Sequence, residues 1–496
     1  GLDWTNVKKV SDETSATSTV EKTYDVAPDV QTQLVNMKAG TTVKLDQDVT
    51  LSDDLIIRGG TLDLNGHALN QADNLIRIKG DVTIVDTSAE KTGKIIREKY
   101  VSNTYSSASI TVEKGSLTAE GITIDGQLGN EMYYNSINHL TGLPHVSVSL
   151  KNCTVMNSLS YSSYNTNTAC ISFEDYAKGL DLTVDGCTIN NSFQVSSCTG
   201  EKIFVTNSTL RSYLQSASTD GTTVFTGNKV STSVNINTDK LTIKDDTIGS
   251  GLNVNVTSDT VLENLDVTVN SRSSAAVTTG GVGTVMIKSG VYNNTAKRGH
   301  AFEAEGTPIV IEGGYFKSLG TVASDAKYRT PANKKLGEVT EGDYAGYYTI
   351  VDDTEGTVAD PVATIYNADG TEAEKLGEDK ADMITSFAGE GQTVKLNKDI
   401  STSYETNYKN MTLDLNGHTL TLQALVAYHG TCHVIDSSAD KSGKIVASLA
   451  IFHSMENFDS GLILDGVTCE SPRLQYASIG KLYVINGTKI NGVTTI

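Results

Sequence analysis

The densest group of side chains able to do chemistry in this 496-residue chain lies between 298 and 305: Arg298, His300, Glu303 and Glu305. In Ala301-Phe-Glu-Ala-Glu the two glutamates stand two residues apart. On a strand they would share one face. A carboxylate pair beside an imidazole and a guanidinium is what cleavage of a polysaccharide needs. Glycosidases use carboxyl groups held roughly 5–5.5 or 6.5–9.5 Å apart, and lyases place a basic residue next to acidic ones. The other acidic groups read as structural. Glu174-Asp175 and Asp245-Asp246 are adjacent pairs, and neighbours on a strand point to opposite faces, so each reads as a solvated edge. Asp63 and Asp414 recur in one motif with His67 and His418, which reads as an Asx-type turn with a corner histidine bonded to backbone. No nucleophile elbow, HExxH, phosphate-binding loop or dinucleotide fingerprint occurs. The sequence therefore assigns no catalytic residue and no cofactor. The chain reads as a non-enzyme, with Arg298, His300, Glu303 and Glu305 kept as the candidates for the alternative.

Binding chemistry is concentrated elsewhere. Segments 97–107, 126–146 and 157–168 are rich in Tyr, Asn and Ser. They carry Tyr100, Tyr105, Tyr133, Tyr134, His139, Tyr161 and Tyr164 as candidate ligand-binding residues. Tyrosine offers a flat stacking surface with a hydrogen-bonding tip at low entropic cost, which suits a glycan or a host or bacterial surface protein. The competing reading is that these tyrosines pack their loops onto the body of the protein.

A short repeat positions these segments. An apolar-x-apolar-x run ends in Gly, Asn or Asp and resumes with Thr and an apolar residue. Examples are Leu-Thr-Val-Asp-Gly-Cys-Thr-Ile (182–189) and Leu-Thr-Ile-Lys-Asp-Asp-Thr-Ile (241–248). The turn residues Gly186, Asn207, Gly227, Asp245 and Asn264 follow at intervals of 18 to 21. One coil of a parallel β-helix takes about 20 residues. It cannot bury its apolar face alone, and stacked coils share a continuous core. Gly, Asn and Asp suit its corners because they tolerate left-handed backbone angles. The predicted fold is all-β, a right-handed single-stranded parallel β-helix. Segments 97–107, 126–146 and 157–168 become insertions between coils, where binding faces often lie. Cys153 and Cys187 fall at equivalent repeat positions. Stacked, they would be within disulfide reach, or would form a ladder of buried thiols.

A longer repeat lies above the first. Leu-Asp-Leu-Asn-Gly-His (62–67) returns at 413–418, and the 84–95 segment returns at 434–445. A near-constant offset signals duplication of a module. The predicted organisation is an extension over 1–21 and a first β-helix over 22–350 with a capping helix near 28–39. A connector follows over 351–379, and then a shorter β-helix over 380–496 with a capping helix near 380–389. The apolar run 347–351 reads as a strand closing the first helix.

These motifs, with Asp436-Ser-Ser-Ala-Asp-Lys-Ser-Gly-Lys-Ile (436–445) and Glu312-Gly-Gly-Tyr-Phe (312–316), resemble a group of secreted or cell-surface proteins of gut Firmicutes. That group is similar in fold to the pectate-lyase-like superfamily, and its members are adhesin-like and mostly uncharacterised. The resemblance covers both modules but not residues 1–20 or the junction. It implies coil architecture and an extracellular or cell-surface location, and it implies no particular ligand.

Bulk properties agree. A net charge of −20 opposes binding to nucleic acid and adsorption to anionic lipid. No run of about 18 apolar residues is present to span a membrane. The absence of Cys-x-x-Cys spacing gives no zinc site. The chain opens Gly-Leu-Asp-Trp, which reads as a trimmed start, with a leader or anchor expected upstream. The sequence thus predicts a non-catalytic, adhesin-like surface protein binding glycan or protein. A polysaccharide lyase or glycoside hydrolase and a passive stalk are the alternatives, and oligomeric state is left open.

Overall fold

A computed structural model describes residues 29–97, 110–126, 128–129, 144–158, 169–174, 179–196, 200–216, 220–296, 299–305, 309–317, 328–331, 333–353, 360–382, 384–407, 409–427, 429–454, 460–476 and 480–493. Strand accounts for 56% of the described residues and helix for 3%, so the described protein is all-β. The strands stack as a parallel β-solenoid of about 17 turns.

Each coil visits three faces. The first is built by strands such as Leu180–Asp185, Lys202–Thr206, Thr222–Thr226 and Lys240–Lys244, paired in parallel register. The chain then turns at Gly186, Asn207, Gly227 and Asp245, whose φ values are 62°, 51°, 69° and 60°. These are the corner residues picked out by the repeat. At Gly186 an added Cβ would also lie 2.6 Å from the Asn152 Oδ1 of the coil before, so that side chain would have to shift. The second face holds short strands such as Lys229–Val230 and Thr247–Ile248. The third holds Val234–Thr238, Leu252–Val256, Val277–Gly281 and Phe302–Ala304, again in parallel register.

Burial alternates with period two along these strands. Leu252, Val254 and Val256 point inward while Asn253 and Asn255 face out. Inside, Phe193, Tyr213 and Phe225 stack with ring centroids 5.0 and 5.1 Å apart. The residue after each corner also points inward and forms a stair. The amide of Cys153 donates to Cys187 Sγ (3.4 Å), that of Cys187 to Ser208 Oγ (3.0 Å), that of Ser208 to Asn228 Oδ1 (3.0 Å), and that of Asn228 to Asp246 Oδ1 (2.7 Å). Cys153 and Cys187 are free thiols, so the ladder of buried thiols holds and the disulfide does not form. Asp246 corrects the expectation of a solvated edge. Asp245 takes the corner, which breaks the strand alternation and turns the next carboxyl into the core at 1% exposure.

The strands between Thr42 and Asp352 form one connected sheet system. Its last strand, Tyr348–Asp352, runs antiparallel to Phe316 and to Lys334–Glu338, matching the expected closing strand. From Ala363 onward the strands form separate seven-, five- and four-stranded sheets around their own apolar cluster. Lys409 Nζ of this later set reaches Asp259 Oδ1 (3.2 Å) and Thr284 Oγ1 (2.6 Å) of the earlier one.

The capping segments differ from expectation. Within 28–39 the helix covers Val30–Val35, started by the Asp29 carboxylate accepting from the Thr32 amide. Leu34 and Met37 join the core. Among the described residues of 380–389 there is no α-helix. The segment instead carries short 3-10 turns, Glu378–Lys380 and Ile384–Phe387. The physical reason is a contact from a residue distant in the sequence. The Thr385 amide and hydroxyl both donate to the buried Glu405 carboxylate, each at 2.8 Å, and such side-chain bonds compete with helix propagation. Burial pushes the Glu405 carboxyl up to about 7.

Candidate functional site: a polar groove on the third face

The third face carries a described groove with a volume of about 610 Å³. Its floor is the outward side of the strands from Val234 to Ala304. Parallel register places Asn235, Asn253, Thr278 and Glu303 in one file across successive coils. Asn237, Asn255 and Gly280 form a second file beside it, and Glu305 follows Glu303 at the same end. The Asn253 amide donates to Asn235 Oδ1 at 2.5 Å, so the rungs brace one another. Ser233, Ser250, Ser273 and Ser274, from the segments entering these strands, line the groove further. Gly280 leaves a notch in the floor. An added Cβ there would meet Asn255 side-chain atoms at 3.5 Å, an ordinary contact.

The period-two expectation for Glu303 and Glu305 holds. Phe302 and Ala304 are buried on either side of Glu303, Glu305 follows just past the strand's end, and both glutamates line the groove. His300 sits behind, its Nε2 3.3 Å from Glu303 Oε2. Its Nδ1 is buried without a hydrogen-bond partner among the described residues. Arg298 lies outside the described residues, as do Tyr100, Tyr105, Tyr133, Tyr134, His139, Tyr161 and Tyr164. Among the described residues, no group of three His, Cys, Asp or Glu could hold a metal ion, and no helix is long and apolar enough to cross a membrane.

Asp63 and Asp414 are structural, as the motif suggests. Asp63 accepts from the amides of Asn65 (3.0 Å) and Thr87 (3.0 Å) and from the Thr87 hydroxyl (2.5 Å). Asp414 accepts from the amides of Asn416 (3.0 Å) and Ser437 (2.8 Å). The following Asn-Gly pairs share φ values of 47° and 84° in both copies. His67 and His418 stand 3.5 Å from Asp48 and Asp399, so their partners are carboxylates rather than the expected backbone. Burial opposes ionisation of Asp63, but the hydrogen bonds from Thr87 and Asn65 outweigh it and hold the carboxyl below its ordinary range.

Sequence reasoning missed the asparagine files. Their signal is present: Val-Asn-Ile-Asn (234–237) and Leu-Asn-Val-Asn (252–255) repeat at the interval that separates Gly227 from Asp245.

No family model and no curated protein matches the chain. Among solved structures it is similar to the PL6 family alginate lyase AlyGC, with 9% sequence identity over 92% of this chain and 77% of that one, at a TM-score of 0.26. The β-solenoid architecture itself rests on the parallel coil-to-coil register of this chain.

Proposed function

We propose that the chain is a non-catalytic, adhesin-like protein of the extracellular space or cell surface that binds glycan in the groove of the third face. The observation that carries this reading is the file of outward asparagines continued by Thr278 and Glu303. An asparagine amide donates and accepts at once, which matches sugar hydroxyls, and the stacked coils repeat that pattern along an extended polymer. The test is glycan-array binding by the native chain and by Gly280→Val. Position 280 has no strained φ and room for a Cβ, and a native-like melting temperature of the variant shows that valine leaves the fold intact. Binding that is lost in Gly280→Val supports the reading. A blank array, or binding indifferent to the substitution, contradicts it.

A second reading, cleavage of the bound polysaccharide, is favoured by one observation: Glu303 and Glu305 face the groove together, with His300 against Glu303. Shorter products released by the native chain and absent with Glu303→Gln would establish it. Intact oligosaccharide after prolonged incubation would leave binding alone.

A further inference from the structure

The charge of the groove is one-sided. Its described lining holds two carboxylates, Glu303 and Glu305, beside amides and hydroxyls, and no lysine or arginine. The whole chain carries a net charge of −20, so the surrounding field has the same sign. A uronate polymer would bring further carboxylates onto this face and meet like-charge repulsion. A sugar carrying an ammonium group would be drawn to it.

We infer that the groove selects amino-sugar polymers, with hydroxyl or acetamido groups over the Asn235–Asn253 file and a free ammonium group at Glu303 and Glu305. This rests on the groove being the glycan site. The two ends of the groove divide the work. The asparagine rungs are neutral and satisfy either donors or acceptors, so they tolerate an N-acetylated or a free sugar alike. The glutamate end discriminates. A charge-assisted hydrogen bond from an ammonium to a carboxylate is stronger than a neutral one. The carboxylate of a uronate offers only acceptors to groups that are themselves acceptor-only. Thr278 sits between the two ends, in register with Asn253 and Glu303, and is the point where an added cation would cancel the preference.

The test is calorimetric titration of the whole chain with three oligomers: glucosamine, N-acetylglucosamine and galacturonate, at mildly acidic pH where the sugar amine is protonated. The expected result is that the glucosamine oligomer binds about tenfold more tightly than its N-acetylated counterpart. Its advantage shrinks with added salt, and galacturonate gives no heat. The double variant Glu303→Gln, Glu305→Gln loses the advantage but keeps the weaker neutral binding. Thr278→Lys, which leaves both glutamates in place, also lowers glucosamine affinity and admits galacturonate. Equal affinity for glucosamine and N-acetylglucosamine, or a preference that survives in both variants, overturns the inference while the glycan-binding reading stands. Tighter binding of galacturonate than of glucosamine by the native chain overturns it as well. No heat with any of the three oligomers, together with a blank glycan array, overturns the glycan-binding reading and the inference with it.

Discussion

The amide of Asn228 donates to Asp246 Oδ1 at 2.7 Å across one coil step, and the other carboxyl oxygen of Asp246 is buried without a partner among the described residues. Burial, helped by the neighbouring Asp245 charge, pushes the Asp246 carboxyl up to about 8. The folded state therefore holds a proton that the unfolded chain releases near its ordinary value. Stability is full below the unfolded value and falls as pH rises towards about 8, by at most about 1.4 kcal/mol per pH unit. Asp246→Asn keeps an acceptor and removes the charge. Its melting temperature is expected to exceed that of the native chain at alkaline pH and to converge with it in acid. Thermal melts across pH check this, and a variant less stable than the native chain in alkali would contradict it.

At the repeated motif, Asp63→Ala leaves the Asn65 and Thr87 amides without their acceptor. Unsatisfied buried donors cost about 1–3 kcal/mol each, so urea unfolding should show a loss of about 2–6 kcal/mol. Asp63→Asn retains one acceptor and should lose less. The same order is expected at Asp414.

How much of this was legible beforehand varies with the physics. The corners were, because a positive φ favours Gly, Asn or Asp and so writes itself into the sequence at Gly186, Asn207 and Asp245. The shared face of Glu303 and Glu305 was, because the period-two direction set by strand Phe302–Ala304 carries one residue past its end. Asp246 was not, since the corner at Asp245 interrupts that alternation. The 3-10 turn at Ile384–Phe387 was not, since the apolar stripe of Met383, Ile384 and Phe387 suits a helix and only the distant Glu405 shows why Thr385 prevents one. The groove was half legible: the asparagine rungs repeat at coil spacing, but its serine walls depend on how segments of unequal length stack.

The thiols should be inert in the folded protein. Cys153, Cys170, Cys187, Cys432 and Cys469 are free and buried, and burial pushes Cys170, Cys432 and Cys469 up to about 12, far from the thiolate form that reacts. A maleimide followed by mass spectrometry should leave these five unmodified until denaturant is added. Rapid native labelling at any of them would show a more open solenoid.

The aromatic stack inside the coils predicts a large packing effect. Phe193 meets the Tyr213 ring edge-on at 5.0 Å and is fully buried. Phe193→Ala opens a cavity that neighbouring coils cannot close, for a loss of about 3–5 kcal/mol. Phe193→Leu should lose less. Equilibrium unfolding in urea measures both, and a loss under about 1 kcal/mol for alanine would mean the coils collapse around the void.

The central claim is that the asparagine rungs touch the ligand. It is tested most directly by titrating a bound oligosaccharide into the native chain, Asn253→Ala, and a control altered on another face, Lys229→Ala. Asn253→Ala removes the donor to Asn235 and one rung of the floor, while Lys229 lies on the second face. The account predicts affinity lowered about tenfold or more by Asn253→Ala and unchanged by Lys229→Ala, with both variants melting as the native chain does. Unchanged affinity in Asn253→Ala would contradict it.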